Sequence, residues 1–288
     1  MDEGGWLGRM GRFARSWSLF KTSLGVIRQD RELLWMPVLS FLASLVAVLA
    51  IAGVGVVGGL WPEVTDAEKP MAFLLAFAMY IVLAFVALFF NAATVAGATE
   101  RLAGGDPTVG SALRAASRKA GKIFLWSVVV ATVNVILQAI RERSGLLGNI
   151  LAGIAGLAWN LATFFMVPVL LFEDKGIGNS VRQSGSLFKK TWGESVAGEV
   201  GVGFVGGVIT LLVVIVGVLL TLLLSGLGMA GFWIGLELTI LAVIFVSVLF
   251  ATVSGVYKAA LYRYATTGQV SGGFAANELG GAFHPKGA

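Results

Sequence analysis

The sequence predicts an all-α polytopic membrane bundle of six transmembrane helices with three cytoplasmic amphipathic interfacial helices. Three observations lead there. Hydrophobic residues make up 57% of the 288 and charged residues only 13%, outside the balance of a water-soluble domain. Six apolar stretches approach or exceed the roughly 20 residues that carry an α-helix across about 30 Å of hydrocarbon. Of the 21 Lys and Arg, all but Lys69, Arg141 and Arg143 fall in the tails and the two loops on one side of those stretches. That side is expected to be cytoplasmic.

The stretches run Leu33–Trp61, Met71–Ala98, Ile123–Ile140, Ile150–Phe172, Ala197–Leu224 and Phe232–Val256. An even number of crossings puts both termini on the cytoplasmic face. Six spans with short connections leave no room for a soluble domain, so residues 12–265 read as a single membrane domain. Residues 1–11 read as a flexible N-terminus, and 266–288, Gly-rich, as a disordered tail.

Before the first span, Phe13, Trp17, Phe20, Leu24 and Ile27 recur at helical spacing, with Arg15, Lys21, Arg28 and Arg31 off the stripe. A basic amphipathic helix beside a membrane span lies either in the lipid interface or against protein. Trp61-Pro62 ends the first span and an acidic loop with Glu63, Asp66 and Glu68 follows. After the second span, Gly104-Gly105-Asp106-Pro107 reads as a break with Asp106 as helix N-cap. Val109, Leu113, Ala116 and Ala120 then form a weaker stripe beside Arg114, Arg118, Lys119 and Lys122. A third stripe, Ile177, Val181, Ser184, Phe188 and Trp192, carries Arg182, Lys189 and Lys190 alongside. Ser16–Lys21 and Ser184–Lys189 share the pattern S-x-S-L-F-K, so the chain reads as a cytoplasmic helix followed by a membrane hairpin, three times over.

Polar residues inside hydrocarbon need a partner or a purpose. Asn91, Asn134, Asn160, Glu199 and Glu237 are the candidates. Asn134 and Asn160 each lie about 16 Å along their helices at 1.5 Å per residue, at one level if the two helices pair. A hydrogen bond between them would fasten the hairpin; lining a solute path is the other reading. Glu237, a turn inside the Trp233 level, is either a carboxyl facing the bundle or a headgroup-level residue. Glu199, at the start of the fifth span, suits the positive end of a helix dipole. Small residues at Gly55 and Gly59, Ala152 and Gly156, and Gly203 and Gly207 allow close helix approach.

The chain has no cysteine and a single histidine, His284. Thiolate chemistry, thiolate zinc sites and His-based nucleophile activation are excluded. No cofactor is expected, and the chain does not read as an enzyme. The net charge of +5 follows from topology and points to anionic lipid headgroups, not nucleic acid. A homo-oligomer or a membrane-protein partner is the other expected contact.

A series of motifs at the cytoplasmic ends of the spans carries a resemblance. It comprises Ser16–Lys21 leading into Arg31–Pro37, Phe90-Asn91-Ala92-Ala93, Pro168–Gly176, Ser180–Ser184, Lys190–Glu194 and Leu261–Gly268. Over residues 12–268 the chain resembles a family of prokaryotic multi-pass membrane proteins of unknown function. More loosely it is similar to the membrane domain beside some glycerophosphodiester phosphodiesterases. The resemblance implies a six-helix bundle in a prokaryotic cytoplasmic membrane and no activity.

The expected function is therefore a non-enzymatic scaffold, membrane-organising or lipid-handling bundle acting through its cytoplasmic helices. Trp17, Phe20, Lys21, Arg182, Phe188, Lys189, Lys190 and Trp192 are its candidate lipid or partner contacts. The alternative is a small-solute or ion transporter with a path lined by Asn91, Asn134, Asn160 and Glu237.

Overall fold

Long uninterrupted runs of Leu, Val, Ile, Ala and Phe satisfy their backbone within a single segment only as helices once water is excluded, and helices are what the described residues form. The computed structural model describes residues 12–57, 69–143 and 145–269, with side chains described for all of these except 12–19, 54–57, 69, 146 and 192–204. The helices are α1 (Arg12–Gln29), a short 3-10 turn (Arg31–Leu34), α2 (Trp35–Val57) and α3 (Lys69–Leu102). They continue as α4 (Val109–Ser117), α5 (Ala120–Arg143), α6 (Gly145–Ala162) and α7 (Met166–Phe172). The last are α8 (Ile177–Lys190), α9 (Trp192–Ser225) and α10 (Met229–Thr267).

Six segments are long and apolar enough to cross a membrane: Arg31–Gly53, Pro70–Leu102, Ala120–Arg143, Leu147–Phe172, Val205–Ser225 and Met229–Thr267. The three shorter amphipathic helices α1, α4 and α8 stand outside them. Large apolar side chains lie exposed along the spans, among them Leu49, Phe73, Leu157, Leu223 and Phe245. In a soluble domain such surface would drive aggregation; here it is the lipid-facing belt. The expectations for residues 1–11, for the acidic loop and for the tail beyond Gln269 lie outside the described residues.

The chain divides into two units. The first comprises residues 1–34, 98–106 and 191–288. Its spine is the antiparallel hairpin of α9 and α10, and α1 packs on both helices. The hairpin is sewn by glycines. A Cβ on Gly217 would fall onto the Thr239 side chain, one on Gly235 would lie 2.6 Å from Thr221 Cα, and one on Gly206 2.8 Å from Phe250 Cδ1. Each step forward on α9 is matched by an equal step back on α10, so these contacts form one register. Thr221 and Thr239 hydroxyls meet at 3.3 Å across it. Of the small residues expected at a helix contact here, Gly207 is not in the seam, since a Cβ there would meet nothing within 4 Å; its neighbour Gly206 is, and Gly203 lies outside the described side chains.

With 39 residues, α10 spans about 58 Å at 1.5 Å per residue, nearly twice the hydrocarbon thickness. Its first half is largely exposed. From Thr252 onward Val253, Val256, Tyr257, Leu261 and Tyr262 are buried, where α1 and the 3-10 turn pack against it.

The second unit comprises residues 35–97 and 107–190. Its centre is a cluster of Trp126, Met166 and Leu170, with Leu88, Val129, Val130, Trp159, Ile177 and Val181 packed around it. Helices α5 and α6 pair antiparallel, and Trp126 stacks on Trp159 at 5.5 Å. Ala152 is buried and Gly156 opposes Leu137, so that small-residue pair does bring two helices together.

Two local expectations are corrected. Helix α4 is capped by Thr108, not Asp106: the Thr108 hydroxyl accepts from Ser111 N–H, and the Ser111 hydroxyl accepts from Thr108 N–H, both at 3.0 Å. A reciprocal capping box satisfies two N–H groups at once, while Asp106 pairs with Arg101 at 3.3 Å. The fourth span, read as continuous, breaks between α6 and α7. Pro168 has no N–H to offer the Phe164 carbonyl and its ring crowds that carbonyl.

Candidate functional site

The break in the fourth span is closed from outside. Within the break, Phe165 N–H donates to the Ser184 hydroxyl at 3.0 Å. Both residues are fully buried. Ser184 lies on α8, whose inner face also buries Ser180, Leu187 and Phe188. Gly185 brings α8 close to the Ala162 carbonyl, and Phe188 packs on the Phe164 ring at 5.8 Å. The apolar stripe of this amphipathic helix therefore docks on protein, on α6 and α7, and not on lipid.

Helix α1 does the same in the first unit. Phe20 stacks on Phe250 at 5.2 Å, and Val26 and Ile27 are buried. Phe20 and Phe188, expected as lipid or partner contacts, are thus withdrawn into their own units because each finds an aromatic partner there. The side chains of Trp17, Trp192 and Glu199 lie outside the described ones. Along the chain an amphipathic helix precedes each pair of spans, as expected, but packing does not follow that order: α8 packs on the hairpin that precedes it, and α1 packs on the last one in the chain.

Burying the apolar stripes turns the basic faces outward. Lys21, Arg182, Lys189 and Lys190 are exposed, as are Arg114 and Arg118 on α4. Where α4 meets α5, Lys122 Nζ lies 2.6 Å and Lys119 Nζ 3.6 Å from Asp174 Oδ1. The Lys122 hydrogen bond, helped by the charges of both lysines, holds the Asp174 carboxyl below the usual carboxylate range. Beside it Lys175 pairs with Glu173 at 2.6 Å. Among the described residues, Arg114, Arg118, Arg182, Lys189 and Lys190 have no carboxylate partner.

In the first unit Asp30 follows α1. It is 6% exposed; its Oδ1 accepts from Glu32 N–H at 3.1 Å, and Oδ2 has no partner. Burial raises its pKa, against the Glu32 N–H bond and the nearby Arg101 charge. Arg101 donates to the carbonyls of Gln29 and Gly105.

The intramembrane candidates do not converge. Asn91 and Asn134 are half-buried, and Asn160 and Glu237 are exposed. No hydrogen bond joins Asn134 to Asn160. Their depth arithmetic is compatible with pairing, but Trp159 occupies the face of α6 that meets α5, and the next residue points about 100° away. Gln138 donates to Glu142 within its own helix at 2.9 Å. Among the described residues no group of three or more His, Cys, Asp or Glu is arranged to hold a metal ion. Ser180, Ser184 and Asp174 stand in the sequence motifs, Ser184 on the third stripe, but sequence reasoning gives none of them a role of its own. Small hydroxyls on an otherwise apolar stripe were the available signal for a docked helix.

These features define an integral, multi-pass, all-α membrane protein with amphipathic helices packed against its spans. The chain matches a family of unknown function, DUF6159, over residues 70–273, and it belongs to that family. No curated protein and no solved structure matches it, and the family match carries no tie to glycerophosphodiester phosphodiesterase membrane domains.

Proposed function

We propose that this protein is a non-enzymatic bundle of the prokaryotic cytoplasmic membrane that organises or handles lipid through its cytoplasmic helices. The observation that carries this reading is the set of exposed cations Arg114, Arg118, Arg182, Lys189 and Lys190, unpaired among the described residues, on helices next to the membrane boundary. Each basic residue near an anionic leaflet contributes about 1 kcal/mol of attraction, screened within a Debye length. The one-sided Lys and Arg distribution supports a cytoplasmic position for this face and for both termini.

The test is charge reversal of Arg182, Lys189 and Lys190 to Glu in the full chain, reconstituted in bilayers with and without phosphatidylglycerol. The expected result is loss of preferential association with the anionic lipid, or a change in complex size. If both stay as in the parent, the reading fails.

A transport reading has one observation in its favour. The break at Thr163–Phe165 is the kind of interruption that builds solute sites in membrane bundles. Solute flux through reconstituted vesicles that is abolished by Asn134→Ala or Glu237→Gln would establish it.

A further inference from the structure

Lys119 and Lys122 aim two ammonium groups at a single oxygen, Oδ1 of Asp174. Two features of this contact exceed what a surface ion pair needs. The lysine side chains are only 27% and 31% exposed, so their stems are packed and their charged ends are held in place. The carboxylate they hold is 88% exposed, open to exchange with anything outside.

The height of the contact is set by its neighbours. The third span begins at Ala120 and the fourth ends at Phe172. Phe124 and Leu125, just beyond Lys122, are 47% and 57% exposed, and Phe172, just before Asp174, is 45% exposed. Those chains belong in hydrocarbon. Lys119 lies just before the third span and Lys122 in its first turn, so the two ammonium groups fall at the edge of the hydrocarbon, the depth of lipid phosphates.

We propose that Lys119 and Lys122 form a binding site for the phosphate of an anionic membrane lipid, and that Asp174 is its internal competitor. The carboxylate occupies the site when no anionic lipid is present, and the lipid phosphate displaces it. Displacement frees the Glu173–Gly176 link between α7 and α8, the helix whose Ser184 closes the break in the fourth span. The exchange is non-covalent: one monoanion replaces another, and the two lysine charges are neutralised to the same extent. This inference rests on the reading of the cationic face as a lipid-binding surface and gives that surface a gate.

The experiment uses the full chain in phosphatidylcholine nanodiscs with a minor fraction of spin-labelled phosphatidylglycerol, whose selectivity over spin-labelled phosphatidylcholine is read by EPR. Asp174→Asn is expected to raise selectivity about two- to fivefold, the range of one surface charge interaction. Lys119→Gln with Lys122→Gln is expected to lower it by about as much. Inorganic phosphate at millimolar concentration separates the two sources of the anion. If it removes the gain of Asp174→Asn, the site takes a free phosphate and the lipid assignment falls; if the gain persists, the headgroup is the ligand. A merely structural ion pair predicts unchanged or reduced selectivity in Asp174→Asn, and that outcome overturns the proposal. Should reversal of Arg182, Lys189 and Lys190 abolish selectivity while Asp174→Asn leaves it unaltered, the broader reading stands and this site alone is wrong.

Discussion

The hydroxyl of Ser184 accepts the backbone N–H of Phe165 across 3.0 Å, so an amphipathic helix supplies the cap for a break inside a membrane span. The break exists because Pro168 cannot continue the hydrogen-bond ladder of α6. Its cost is met by a residue sixteen positions after that proline, on a helix that periodicity alone allowed to lie either on lipid or on protein.

Replacing Ser184 by Ala removes the side-chain acceptor of the buried Phe165 N–H, at a cost of about 1–3 kcal/mol. The purified variant should melt at lower temperature, and amide exchange in α8 and at residues 163–166 should accelerate first. Unchanged exchange in that segment would sink this account of the break.

The glycine seam makes a sharper claim. Gly217→Ala places a methyl group on Thr239 and should destabilise the α9–α10 hairpin by about 1–3 kcal/mol, the usual range for overpacking. Thr239→Ala alone loses its hydrogen bond to the Gly235 carbonyl within α10 and the hydroxyl contact with Thr221, the interhelical contact being worth about 0.6 kcal/mol. Combined, the two changes should be less harmful than their sum, and a double-mutant cycle reads that coupling. Strict additivity would mean the register is wrong.

Docking of α1 depends on Phe20 resting against Phe250. Truncation to Ala should release the helix more than it affects the spans. Limited proteolysis near residues 20–30 should therefore speed up well before the melting of the bundle changes. The reverse order would contradict a peripheral α1.

The two perturbed carboxyls respond to pH in opposite senses. Asp30 has its pKa raised, chiefly by burial, so the native state binds its proton more readily than the unfolded chain. Its ionised form is a burden at neutral pH, relieved as pH falls through the raised value. Asp174 is lowered by Lys122 and Lys119; its contribution is present above the ordinary carboxylate range and lost as pH falls through the lowered value. Melting curves between neutral and mildly acidic pH should show a stabilisation on acidification that Asp30→Asn abolishes. A profile that survives Asp30→Asn would assign the effect elsewhere.

Much of the architecture was legible in the residues. Span number followed from the length of apolar runs, and the three amphipathic helices from stripes such as Phe20, Leu24 and Ile27, because transfer of a helix to lipid or to an interface depends on that segment alone. The small pair Ala152 and Gly156 was read correctly for the same local reason. Asn160 was not: its depth was countable, but its direction was set by Trp159 stacking on Trp126.

What the sequence by itself determined about this protein is which segments enter the membrane and which carry the charge beside it. What only the tertiary structure decided is which faces meet: α8 on the hairpin before it, α1 on α9 and α10, Gly206, Gly217 and Gly235 as the seam, and Asp174 between two lysines. The physical reason is that a lipid-facing apolar surface and a protein-facing one have the same hydropathy. In a bilayer the choice between them rests on close packing and on pairwise polar contacts, such as the Ser184 hydroxyl on Phe165 N–H, which appear only when the helices are brought together.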